Sequence, residues 1–320
     1  VEHQINALES NNISYTLDRK ELDSVDIVHI NWYLLKSYFL AKKAKRKGKK
    51  VVYHAHSTEE DFRNSFLFSN QLAPIFKWWI CKCYRLGDVI ITPTEYAKKL
   101  LSNYHLNKPI YAISNGINTS FFEYNSKFKD EFRKKYHYKK NDKVIMGVGL
   151  YLKRKGILDF VELAKRLPEY QFIWFGYLDL KLVPKEIRVA VNTKLDNLIF
   201  AGYVEQEFLR KAYSGADLYL FPTLEETEGI PILEALTAKI PTLVRDIPVF
   251  EEFITDKEVY KAKDIDEFEE KIKQILENKL PKLADAGYQK AKEKDIKTVG
   301  EQLIKVYQDL IDDKILSEEK

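Results

Sequence analysis

The densest set of chemically capable residues lies at Glu225-Glu226-Thr227-Glu228-Gly229-Ile230-Pro231-Ile232-Leu233-Glu234-Ala235. Ahead of it, Asp217–Pro222 reads as a short buried strand. After Gly229, Pro231–Ala238 reads as a helix with its proline in the first turn, where no amide donor is needed. A strand, a loop, a glycine and a helix start together aim backbone amides and the positive end of a helix at an anion. The carboxylates beside that point accept from hydroxyl groups. A ligand with both phosphate and hydroxyls, such as a nucleotide sugar, satisfies both demands. Acidic loops also precede helices simply because carboxylates favour a helix N-terminus, so the pattern alone leaves both readings open.

A second set is Gly147-Val148-Gly149 followed by Lys153-Arg154-Lys155-Gly156, a glycine turn between a strand and a helix that carries three cations. Read locally, it is equally a tight turn with solvated lysines. His54-Ala55-His56 closes another strand; a histidine there is usually structural, and an i, i+2 metal pair lacks a third ligand nearby. Asp264-Ile265-Asp266 imitates a metal motif but opens an acidic helix, where capping is the expected role. No metal or other cofactor is expected.

Strands and helices alternate along most of the chain. Strands are predicted at Ile13–Leu17, Val25–Asn31, Lys50–His56, Asp88–Thr92 and Pro109–Ser114. Helices fall at Val1–Ser10, Trp32–Lys47, Pro74–Leu86 and Thr94–Tyr104. The charged stretch Glu123–Asn141 reads as a boundary, after which the alternation restarts at Lys143–Val148 and runs to Thr242–Arg245. The tail, Leu283–Ile315, reads as amphipathic helix. This order argues for α/β architecture with parallel sheets wound on both faces. Three segments follow: 1–122, which a likeness to a known transferase family would make the acceptor or membrane-side domain, 123–300, which it would make the nucleotide-sugar domain, and 301–320 as a helix crossing back to the first.

The 320 residues, 45% hydrophobic, suffice for two ordinary domains. No apolar run reaches the length of a membrane span, and no signal peptide is visible. Two cysteines, Cys81 and Cys83, make no disulfide framework, which fits a reduced cytoplasmic setting. The net charge of +4 hides an asymmetry of about +10 over residues 1–140 and about −6 over the rest. In Lys42–Lys50, seven of nine residues are Lys or Arg, which suggests an anionic partner surface. Nucleic acid fits less well, since the run lacks interleaved aromatics and a reader motif. In the helix from Pro74, Ile75, Phe76, Trp79, Ile80 and Cys83 share one face and are expected in the core. Trp78, Lys82 and Arg85 share another. With Lys45, Arg46 and Lys47 they are the expected contacts of a peripheral membrane protein on the inner face of the cell membrane.

Two glutamates separated by seven residues, Glu226 and Glu234, with Gly229 between them and Ala235 following, resemble the signature of the retaining glycosyltransferase family 4. Lys155-Gly156 resembles the family's phosphate-neutralising element; Leu150 stands where its arginine usually is, and Arg154 is the substitute on offer. The resemblance implies a GT-B fold, two Rossmann-like domains facing across a cleft. It implies that Glu234 accepts from the ribose and that Glu226 meets the donor sugar. Gly149, Glu228, Gly229 and Ile230 would line the nucleotide sugar, with Glu228 replacing an aromatic, and Tyr203 and Val204 would line the base. His56 would sit near the leaving phosphate. His56-Ser57-Thr58-Glu59-Glu60-Asp61-Phe62-Arg63-Asn64-Ser65 and Glu225–Ile230 further look like the diacylglycerol 3-α-glucosyltransferases of Gram-positive bacteria. Those transfer glucose from UDP-glucose to a lipid. The family's first strand and glycine-rich loop would precede Val1. The expectation is a first sheet without its central strand, with disturbed packing, in a truncated or impaired enzyme. Competing readings are a transferase with a soluble or cell-wall acceptor, and a non-catalytic nucleotide-sugar or anionic-surface binder.

Overall fold

A computed structural model describes residues 2–314. The chain forms two compact units: 2–62, 71–117 and 294–314 in the first, and 63–70 with 118–293 in the second. The expected divisions lay a few residues later, at 122/123 and 300/301.

In the first unit, α1 (Glu2–Glu9) leads to β1 (Ile27–Ile30), α2 (Leu35–Arg46), β2 (Lys50–His54), α3 (Glu59–Phe62), α4 (Ser69–Tyr84), β3 (Val89–Thr92), α5 (Glu95–Ser102) and β4 (Ile110–Ala112). The four strands pair in sequential order, all parallel. β-Branched runs such as Val51-Val52 and Val89-Ile90-Ile91 are fully buried, as a sheet covered on both faces requires. Among the described residues these three strand pairings run in unbroken register. Ile13–Leu17 is not a strand. It has no regular secondary structure and no sheet partner, with Leu17 largely exposed. α4 starts earlier than expected and carries Pro74 within it, because that proline is not its first-turn residue. Thr94 caps α5 by accepting from Ala97 N–H.

The second unit opens with α6 (Thr119–Phe122) and α7 (Ser126–Lys135). The supposed boundary is therefore largely a packed helix. Phe132 is buried against Gly215, where its ring leaves no room for a side chain. Arg133, also buried, donates to the carbonyls of Gly215, Lys139 and Asp142. Charge in the sequence signalled solvent, but these groups are satisfied internally. Next come β5 (Val144–Val148), α8 (Ile157–Arg166), β6 (Gln171–Phe175), α9 (Lys185–Val191), β7 (Leu198–Gly202), α10 (Gln206–Gly215), β8 (Leu218–Phe221) and α11 (Ile230–Thr237). β9 (Thr242–Arg245), α12 (Val249–Phe253), β10 (Tyr260–Ala262), α13 (Ile265–Leu276) and α14 (Ala284–Lys292) complete it. The six-stranded parallel sheet has the order β10-β9-β8-β5-β6-β7. The chain thus winds outward from β5, then returns to place β8 against β5 on its other side. That junction is the topological switch point where open α/β sheets bind ligands.

The last helix, α15 (Ile296–Ile311), belongs to the first unit, where Val299, Leu303 and Val306 pack with Ala7, Val52 and Ile91.

Candidate functional site

Both motifs lie in the second unit at the carboxyl ends of the strands flanking the switch point. After β5 the chain turns through Gly149 and a single 3-10 turn, Lys153–Lys155, into Gly156 and α8. Gly156 has φ +76°, and a Cβ there would stand 2.1 Å from the carbonyl oxygen of Pro222, just past β8. Only glycine allows this approach. The two loops are also joined where Arg154 O accepts from Leu224 N–H at 2.7 Å and from the Thr223 hydroxyl at 3.0 Å. Arg245 on β9 donates from Nε to Pro222 O and pairs with Asp159 on α8, closing the clasp from below.

The clasp brings Lys155 and Glu226 together. Lys155 Nζ lies 2.6 Å from both Glu226 oxygens, and the Arg154 guanidinium is 3.6 Å from the same carboxylate. Arg154 also donates to Ser65 Oγ at 2.9 Å. Burial alone would raise the pKa of Glu226, but the two cations outweigh it and hold the carboxyl below its ordinary range. Arg154 brings its charge to Glu226, while Leu150, half exposed, carries none.

Glu234 is treated very differently. It lies on α11 behind Gly229, whose φ of +86° forms the helix entry without any side-chain cap. It is 5% exposed, and its carboxylate takes one hydrogen bond, from Tyr213 Oη at 2.8 Å. Burial without a cation pushes its pKa up to about 7, against the opposing pull of Tyr213. Two carboxylates on one loop and helix are thus set apart by environment, one firmly ionised and one poised near neutrality.

The remaining expected residues are placed as follows. Gly149 donates to Phe175 O at 2.9 Å and accepts from Trp174 Nε1 at 2.8 Å. These bonds fix the turn that leads from β5 toward Lys155. Glu228 is buried in the loop before Gly229. Ile230, half-buried, opens α11, and Ile232 N–H already bonds Gly229 O. Tyr203, exposed, and Val204 follow β7, with Tyr203 Oη 3.4 Å from Glu205. Asp264 caps α13, accepting from Asp266 and Glu267 amides.

In the first unit, His56 stacks on His54 with ring centres 4.0 Å apart, and its Nε2 lies 3.0 Å from Asn31 Oδ1. An amide oxygen only accepts, so Nε2 carries the proton. Burial lowers its pKa to about 4, leaving the ring neutral at pH 7. Of the basic residues, Lys45 pairs with Asp88 and Lys47 with Asp23; Arg46 is exposed. Arg85 reaches His105 O at 3.3 Å. Lys82 Nζ stands 4.0 Å over the Trp78 ring. Ile75, expected in the core, is 62% exposed, because α4 turns it outward with Trp78. Trp32, Leu34, Leu35 and Phe39 are exposed as well. Their segment lies along α4, since Trp79 Nε1 donates to Tyr33 O at 2.6 Å. Sequence reading missed Tyr213, Arg245, Ser65 and Asn31; their roles come from sheet order, which no local spacing encodes.

Comparison with known proteins supplies the family. The model described as "Glycosyl transferases group 1" matches residues 128–294, and "Glycosyltransferase Family 4" matches 10–121. The chain is 40% identical over 311 residues to the processive diacylglycerol alpha-glucosyltransferase of Acholeplasma laidlawii, covering 97% of this chain and 92% of that one. The chain belongs to this glycosyltransferase family. A Streptococcus pneumoniae alpha-galactosylglucosyldiacylglycerol synthase is 26% identical, over 70% of this chain and 61% of its own length. Among solved structures, Anabaena HepE in complex with UDP-glucose matches with TM-score 0.74 at 16% identity, covering 90% of this chain and 81% of that chain. Sucrose-phosphate synthase from Thermosynechococcus elongatus matches equally, TM-score 0.74 at 16%, over 93% and 81%. These likenesses show the GT-B fold. This glycosyltransferase has no helix, among the described residues, long and apolar enough to cross a membrane.

Proposed function

We propose that this glycosyltransferase moves glucose, with retention, from UDP-glucose to diacylglycerol at a membrane surface. The observation that carries the reading is the clasped Lys155–Arg154–Glu226 cluster at the switch point, in a chain 40% identical to a diacylglycerol glucosyltransferase. Cations there would stabilise the charge that grows on the departing diphosphate, an effect of about 3–4 kcal/mol in comparable sites. Glu226 would be met by the sugar hydroxyls once phosphate competes for Lys155. Glu234 would accept from the ribose, with the amides of Gly229 and Ile230 toward phosphate or sugar. The leaving phosphate would take the acceptor's proton. His56 is assigned to the leaving group by the family motif alone. Because two protein cations carry the neutralising role, no metal is needed, and chelator should leave the rate unchanged.

The exposed apolar residues beside α4, with Lys82 in its last turn and Arg85 just after it, suit a peripheral position on an anionic leaflet, the inner face being our assignment. The deciding assay follows UDP-glucose with vesicles containing diacylglycerol and separates the products. Glucosyl lipid with the α linkage supports the proposal. Sugar appearing only on a soluble acceptor, or nucleotide bound without turnover, overturns it in favour of a soluble-acceptor transferase or a binding protein.

A further inference from the structure

Glu234 and Tyr213 form a pair that the family signature does not contain. Tyr213 lies on α10, fully buried, its ring packed edge-on against Phe122 and Tyr219 at 6.0 Å and 5.5 Å. Its hydroxyl has two acceptors, Glu234 Oε2 at 2.8 Å and Pro231 O in the first turn of α11 at 3.2 Å. A single phenolic proton can serve only one of them fully. With Glu234 ionised, Tyr213 donates to the carboxylate. With Glu234 protonated, the carboxyl donates to the phenolic oxygen and Tyr213 turns its proton to Pro231 O. The Tyr213–Glu234 bond therefore persists in either protonation state, while the second carboxylate oxygen is left without a partner in the ionised one.

We propose that Tyr213 is a positioning residue for nucleotide binding: its hydroxyl anchors one oxygen of Glu234 and leaves the other to accept from the vicinal hydroxyls of the ribose. The inference rests on the assignment of Glu234 to the ribose. Two accepted hydroxyls require the ionised carboxylate, so nucleotide affinity becomes linked to the proton on this pair. The other groups facing Glu234 do not replace Tyr213. Tyr219 on β8 is fully buried and neutral, its ring packed against Tyr213. Glu226 is matched by Lys155 and Arg154. Lys239 after α11 and Asp285 on α14 pair with each other, and Arg245 on β9 is held by Asp159. α6 brings Phe122 and no charge.

The test measures UDP binding by calorimetry across neutral pH for wild type, Tyr213→Phe and Glu234→Gln, with 2′,3′-dideoxy-UDP as control. Wild-type affinity is expected to weaken as pH falls through about 7. Tyr213→Phe keeps the ring and removes the donor, so UDP should bind about tenfold more weakly at pH 7, with the midpoint about one unit higher. Affinity should recover toward wild type at still higher pH. Equal weakening at every pH, or an unmoved midpoint, overturns the proposal. A second readout needs no Tyr213 variant. The infrared C–O stretch of Tyr213, assigned with isotope label, should shift together with the carboxyl titration that Glu234→Gln abolishes; an invariant stretch also overturns the proposal. Failure of the underlying assignment looks different. Glu234→Gln would then bind UDP like wild type and discriminate equally against the dideoxy analogue.

Discussion

At the scale of single residues, the two buried glutamates show how environment divides labour. Glu226 has its charge matched within 2.6 Å; Glu234 does not, and its carboxyl is held near pH 7 rather than in the ordinary acid range. A carboxyl whose pKa is raised on folding lends relative stability below its unfolded value and loses it as pH rises through the folded value. Above neutral pH the ionised Glu234, with a tyrosine hydroxyl but no cation beside it, costs the fold about 3 kcal/mol. Glu234→Gln is therefore expected to raise the melting temperature at about pH 8 and to change it little near pH 5, where the acid is neutral anyway. Thermal unfolding at both values checks this. A variant no more stable at the higher pH would show that the ionised group is better solvated than its burial indicates.

At the scale of elements, the loop after β5 and the loop after β8 act as one piece, because Gly156 lets the first close on the second. Gly156→Ala places a side chain in the left-handed region and against Pro222 O. The expected loss is about 2–4 kcal/mol of stability, together with donor binding. Denaturant unfolding and UDP titration of the same variant measure both. The helix α4 makes a separate prediction. Ile75 and Trp78 are exposed and support no core, so Ile75→Ala with Trp78→Ala should leave the fold intact. If that face enters lipid, about 1.5–3 kcal/mol of burial per side chain is lost, and vesicle co-sedimentation should fall at least tenfold. Unchanged sedimentation would assign the face to something other than a bilayer.

At the scale of the whole molecule, charge is split between a basic first part and an acidic remainder. Several of the basic residues singled out by composition are internally paired, Lys45 and Lys47 among them. Long-range attraction to anionic lipid should therefore be real but modest. Binding to vesicles rich in anionic lipid is expected to drop several-fold between about 0.05 M and 0.5 M salt and to persist at the higher value through the apolar face. Complete loss would mean that charge alone holds the protein there; no change would mean that charge contributes nothing.

Much of this was legible along the chain. Strand and helix alternation follows from local hydrophobic period, and the caps Thr94 and Asp264 follow from side chains that reach their own backbone. Gly156 and Gly229 were readable as turn residues, and the signature pointed to Lys155, Glu226 and Glu234. Local spacing could not say that Lys155 and Glu226, 71 residues apart, share one ion pair. Nor could it say that Glu234 has a tyrosine instead of a cation, that Ile75 faces outward, or that Arg133 in a charged stretch is buried. Those outcomes depend on β8 returning beside β5 and on which helix face meets a neighbour. Periodicity is a property of a few consecutive bonds, whereas burial and pairing are set by which distant segments close over a side chain, and only the folded chain decides that.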